Sequence, residues 1–133
     1  MSFKKLCQQL ETKIQAAYTG GVTLSDAELL AAEFLRAQMK VSEELKVADL
    51  DSRMRKSGVK AIRAAVYMEA ATKTDKKPSD SMLEAITNMS KVVQDSQDGL
   101  DKAEAEKDEL TRYYNIFRES HIYFRGISKG KFE

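Results

Sequence analysis

Apolar residues recur every three to four positions along most of the chain, and strand-like alternation is hard to find. The pattern predicts an all-α fold. Phe3, Leu6, Leu10, Ile14 and Ala17 trace the apolar stripe of a first helix over residues 2–18, and Gly20-Gly21 ends it. Ser25-Asp26-Ala27-Glu28 reads as a capping box that opens a second helix. Leu30, Phe34, Ala37, Val41, Leu45 and Ala48 form its buried face, and Glu33, Arg36, Lys40, Glu43 and Glu44 its wet face. Asp49-Leu50-Asp51-Ser52 is a weak interruption, where the helix either restarts or runs on. A third helical stretch covers about 52–74, basic from Arg53 to Lys60 and apolar from Ala61 to Met68, with Gly58 inside it as a kink or close contact. The main linker runs from Lys73 to Asp80. Pro78 disfavours helix at Lys77, Ser79, Asp80 or Ser81 can cap the next helix, and Ser81 with Glu84 has capping-box spacing.

From the linker onward the chain reads as one long helix with a heptad repeat. Ile86, Val93, Leu100, Lys107, Tyr114, His121 and Ser128 share one seam position; Met89, Ser96, Ala103, Leu110, Phe117 and Phe124 share the other. Such a repeat indicates coiled-coil-like packing. A helix of about 45 residues extends roughly 65–70 Å, beyond the ~30 Å of a compact small domain. It therefore breaks near Gly99, or is shared with other copies of the chain, or both. Ile86, Met89, Val93, Leu100, Leu110, Tyr114, Phe117 and Phe124 are the expected interface of a homo-oligomer. Residues 1–133 are expected to form one helical-bundle domain, with 1–77 as N-terminal helices and 78–133 as the assembly helix.

Composition narrows the chemistry. The chain is 42% hydrophobic and 32% charged, ordinary for a helix-rich soluble protein. No apolar run approaches a membrane span, and no apolar segment follows the basic N-terminus as in a secretory signal, so a cytoplasmic location and no membrane partner are expected. Cys7 is the only cysteine and His121 the only histidine, so a His/Cys metal cluster is not expected. His121 falls on the apolar seam and reads as a packed, hydrogen-bonded side chain. Asp95, Asp98 and Asp101 share a helix face but lack the glycine turn and terminal glutamate of a calcium loop. No acid–base or nucleophile constellation emerges; the expectation is a non-enzymatic protein without a cofactor.

Charge alters this picture more than composition does. The net charge is only +1, but residues 52–77 hold eight Lys or Arg against two Asp or Glu, and residues 78–111 hold three against nine. Lys56, Lys60 and Arg63 share one helix face, with Arg53, Arg55, Lys76 and Lys77 as supporting charge. A stripe of this kind tracks a phosphate backbone without reading bases. The C-terminal segment interleaves Arg112, Arg118 and Arg125 with six of the ten aromatic residues. Phe117 and Phe124 fall on the seam, whereas Tyr113 and Tyr123 are candidates for stacking single-stranded bases.

Short words in the same region resemble the UvsY-type recombination mediators of tailed phages. Lys60 and Arg63 before Tyr67 resemble the family's basic pair, and Lys77-Pro78 its linker. Tyr113-Tyr114-Asn115-Ile116-Phe117 is similar to its aromatic patch, Arg118-Glu119-Ser120-His121-Ile122 to its polar end, and Lys131-Phe132 to its tail. The likeness covers about residues 55–133; the basic pair is Lys-x-x-Arg, more widely spaced than in the family. It implies a ring-forming oligomer that binds single-stranded DNA and helps a RecA-like recombinase replace a single-strand-binding protein. The competing expectation is a helical phage structural or assembly protein, such as a virion component, scaffold or chaperone. There the acidic segment of a neighbouring helix would neutralise the basic stripe.

Overall fold

A computed structural model describes residues 3–73 and 78–130, which are almost entirely α-helical, with no strand among them. The helices are α1 (Phe3–Gly20), α2 (Leu24–Thr72), α3 (Asp80–Met89) and α4 (Lys91–Ser128). The contacts divide the chain into two units: Met1–Leu45 with Glu109–Glu133, and Lys46–Asp108. The division therefore does not fall at the Pro78 linker. It cuts α2 and α4, each of which serves both units.

The α1–α2 turn is set by Gly21. Its positive φ of 77° closes the helix by a bond from its N–H to the Ala17 carbonyl, a left-handed position that glycine adopts without strain. The cap of α2 is Thr23, not Ser25. Its Oγ1 accepts from the Asp26 N–H at 3.1 Å and its carbonyl from the Ala27 N–H at 2.9 Å. The helix thus starts two residues earlier than the capping-box pattern predicts. Thr23→Ala is expected to cost about 0.5–2 kcal/mol, whereas Ser25→Ala should be near neutral; thermal unfolding of both variants checks the assignment.

In the first unit, α1, the N-terminal part of α2 and the C-terminal part of α4 enclose the main core: Cys7, Leu10, Ile14, Ala31, Phe34, Ala37, Val41, Tyr113, Phe117 and Phe124. Phe34 lies between Phe117 and Phe124, with ring centroids 5.8 and 5.7 Å away. Here α2 and α4 run antiparallel, since Gln38 Nε2 donates to the Tyr114 hydroxyl at 3.3 Å and His121 Nδ1 lies 3.1 Å from the Ala31 carbonyl oxygen.

In the second unit α2 runs unbroken through Asp49–Ser52 and Gly58. Lys107 of α4 reaches Asp49 at 2.8 Å, and Arg55 lies against Gly99, where an added Cβ would meet its Nη1 at 3.0 Å. The two helices are antiparallel here as well. α4 does not break at Gly99; the interruption comes at Ser90, between α3 and α4, where the backbone is extended (φ −65°, ψ 126°). Gly99 thus gives room for Arg55 inside a continuous helix. Ser79 caps α3 by accepting from the Met82 N–H at 3.3 Å, which decides among the three candidate caps. Gly58 has open space around its Cβ position. Gly58→Ala is therefore expected to stabilise the protein by about 0.5–1 kcal/mol through helix propensity alone, which urea denaturation would measure.

Part of the heptad register faces inward; toward the C-terminus Tyr113 and Ser120, each one residue before a seam position, are buried while Tyr114 and His121 are half-buried. Val93, Leu100, Ala103, Phe117 and Phe124 are buried within the chain, and Leu110 and Tyr114 pack at the edge of the main core. The expected interface positions Val93, Leu100, Leu110, Tyr114, Phe117 and Phe124 are thus covered by the chain's own helices. Only Ile86 and Met89 stand exposed, at 44% and 79%.

Candidate nucleic-acid interface

The basic stripe lies on α2 within the second unit. Its arginines and lysines differ in how far they are already engaged. Arg53 pairs with Asp49 at 3.0 Å, one turn back on its own helix. Arg55 Nε donates to both carboxylate oxygens of Asp51 at 3.1 Å. Arg63 is half-buried and donates from Nη2 to Asn88 Oδ1 of α3 at 2.7 Å. Lys56 and Lys60, one turn apart and both exposed, have no ion pair or hydrogen bond among the described residues. They are the uncommitted cations of the stripe. Lys76 and Lys77 lie outside the described residues.

Lys56 borders an open groove in which Arg53 and Lys107 face Asp49, Glu104 and Asp108, with Ser52 at its floor. Lys107 and then Arg53 hold the Asp49 carboxyl below the usual carboxylate range. This groove is charge-balanced and does not concentrate positive potential. The pairs are exposed and each contributes little to stability. What they decide is which cations are free to meet a polyanion: Lys60, and Lys56 at the groove rim.

The aromatic candidates divide. Tyr113 is 3% exposed, stacks on Phe117 with centroids 5.7 Å apart, and carries the Arg112 guanidinium 4.5 Å above its ring. Burial pushes its hydroxyl above the ordinary tyrosine value. Both faces are covered, so Tyr113 offers no open platform to a base; the aromatic patch it begins belongs to the core. Tyr123 is half-buried, with Phe124 edge-on at 5.3 Å and Tyr18 at 5.3 Å. Tyr18, absent from the sequence-based candidates, is 60% exposed. The accessible aromatic surface near Tyr123 is therefore a Tyr18–Tyr123 pair in the first unit. A lone tyrosine at the end of α1 gives no sequence signal that it will meet α4.

The single histidine and the single cysteine both lie in the first unit. His121 is half-buried and sits at hydrogen-bond distance from a backbone carbonyl. An Nδ1–H there donates to the oxygen, whichever state the other nitrogen takes. Cys7 is buried, and desolvation pushes its thiol up to about 11, which leaves little thiolate at neutral pH. Among the described residues no group of His, Cys, Asp and Glu could hold a metal ion, and no helix is long and apolar enough to cross a membrane. No protein-family model, curated protein or solved structure matches the chain.

Proposed function

We propose that this chain is a non-enzymatic, self-associating phage recombination accessory protein that binds single-stranded DNA and assists the loading of a RecA-like recombinase against a single-strand-binding protein. The observation that carries the DNA-binding part is the exposed Lys56–Lys60 pair, one turn apart on α2 and without a partner among the described residues, with Arg63 beside it. Such a pair neutralises successive phosphates without reading bases. Each neutralised phosphate releases a counterion, so affinity falls with salt. The recombinase role rests on the resemblance to UvsY-type mediators at Lys60, Arg63, Tyr67 and Lys77-Pro78.

Two observations favour the second reading, a helical structural or assembly protein with no nucleic-acid role. Arg53 and Arg55 are occupied by Asp49 and Asp51 of their own helix, and the second unit exposes a row of apolar side chains. Titration of fluorescently labelled oligothymidylate and a duplex of equal length, at low and moderate salt, separates the readings. The proposal expects single strands to bind more tightly than duplex, with binding that weakens steeply with salt. No binding to single strands at low salt would leave the assembly reading in place.

A further inference from the structure

The second unit carries two exposed apolar faces. On α2, Val47, Leu50, Met54, Ser57, Ala61, Ala64 and Met68 alternate by three and four residues, a heptad seam on the side away from buried Ser52 and Val59. Val47, Leu50, Met54 and Met68 are 60–67% exposed. The second face is formed by Met82, Ile86 and Met89, at helical spacing on α3, and Val92 lies just past the Ser90 break at the start of α4; all four are exposed. Ile86 and Met89 border an open groove with Val66 and Ala70. Single exposed apolar residues are normal on protein surfaces; rows at helical spacing mark a docking surface.

The charges beside the faces indicate what covers them. Lys46, Arg53 and Lys60 follow one flank of the α2 seam at seven-residue intervals; Arg53 is already paired with Asp49, so Lys46 and Lys60 carry the open charge of that flank. An antiparallel pairing of two α2 seams would set this basic flank against itself. The α3–α4 face ends differently: Asp95 lies one turn beyond Val92 and Asp98 one turn beyond Asp95, both exposed and without a partner among the described residues. Lys91, four residues before Asp95, and Lys102, four residues after Asp98, are the cations one turn away on the same helix. We infer that a second copy of this chain occupies each face, the basic-flanked α2 seam of one copy packing on the acid-ended α3–α4 face of the next. Such a contact is heterologous, so it propagates into a ring or an open filament. It deepens the self-association of the proposed function and replaces the buried α4 seam as the assembly surface; Lys60 then lies at the edge of the contact, and Lys56 on the side of α2 away from the seam.

Two variants test it by light scattering coupled to size exclusion, without DNA. Met54→Glu disables the α2 seam and Met89→Lys the α3–α4 face; both side chains are exposed, at 66% and 79%, and circular dichroism confirms that the helices persist. Wild type should run as a multimer whose mass rises with concentration. Each variant alone should be a monomer, because every copy has one disabled face. Mixed in equal amounts, the variants should form a dimer and stop there, since one intact face of each kind remains. A monomeric wild type at all concentrations would overturn the inference. So would a Met89→Lys protein that assembles like wild type, which would mean that the α2 seam pairs with itself, or a mixture that stays monomeric. A wild type that assembles but binds no single-stranded DNA at low salt would count against the nucleic-acid reading alone.

Discussion

Phe117→Ala is expected to destabilise the first unit by about 3–5 kcal/mol, the range for emptying an aromatic from a packed core. Phe117 is fully buried, tilted against Phe34 at 5.8 Å and stacked on Tyr113 at 5.7 Å, so the cost includes two aromatic pairings besides transfer from water. Phe34 then faces a cavity that helices on three sides cannot all close. The decisive feature is concentration. Because these partners belong to the same chain, the shift in urea midpoint should be the same at low and high protein concentration. A core shared between copies would make the cost grow on dilution. By contrast, Met54→Ala on the exposed α2 seam should change monomer stability by no more than about 0.5 kcal/mol, so stability separates the inward seam from the outward one.

This contrast shows how much of the fold was legible. Helical period, the Gly20-Gly21 turn, the linker before α3 and the register Val93, Leu100, Ala103, Phe117 and Phe124 all follow from the residues, because burial periodicity is a local property. The partner of that seam does not. A heptad facing another copy and one facing an antiparallel helix of its own chain have the same spacing, and here α2 is the partner. The second apolar row on α2 was obscured because Ser57, Ala61 and Ala64 sit in its middle and the basic residues beside it dominate the pattern. Gly99 suggested a break for a sound reason, the low helix propensity of glycine. Its role is instead to leave space for Arg55, and the break falls at Ser90, which no strong signal marks.

The candidate site was partly legible. Spacing places Lys56, Lys60 and Arg63 on one face, but spacing does not show that Arg63 reaches across to Asn88. The neutralisation of Arg53 and Arg55, however, was readable: Asp49 and Asp51 each lie four residues before an arginine, the spacing of a helical ion pair. Tyr113 failed as a stacking candidate because aromatic and basic interleaving describes a core edge as well as a base platform. Arg112 over the Tyr113 ring is the same pairing turned to packing.

The second large effect concerns the free lysines. Lys56→Ala with Lys60→Ala is expected to weaken single-stranded DNA binding roughly tenfold or more at about 50 mM salt, while Arg53→Ala, whose guanidinium already serves Asp49, should have a smaller effect. Both lysines are exposed on a helix, and Ala is a better helix former, so folding is not at risk. If these two cations neutralise phosphates, the salt dependence of binding must register their removal. The deciding quantity is the slope of log affinity against log salt for a labelled single strand, measured for wild type and the double variant. Wild type should bind with a negative slope, and the double variant should flatten it by about 1.4, at roughly 0.7 for each single-strand phosphate no longer neutralised. Equal slopes and affinities for the two proteins, or no binding by wild type at low salt, would contradict phosphate neutralisation by Lys56 and Lys60.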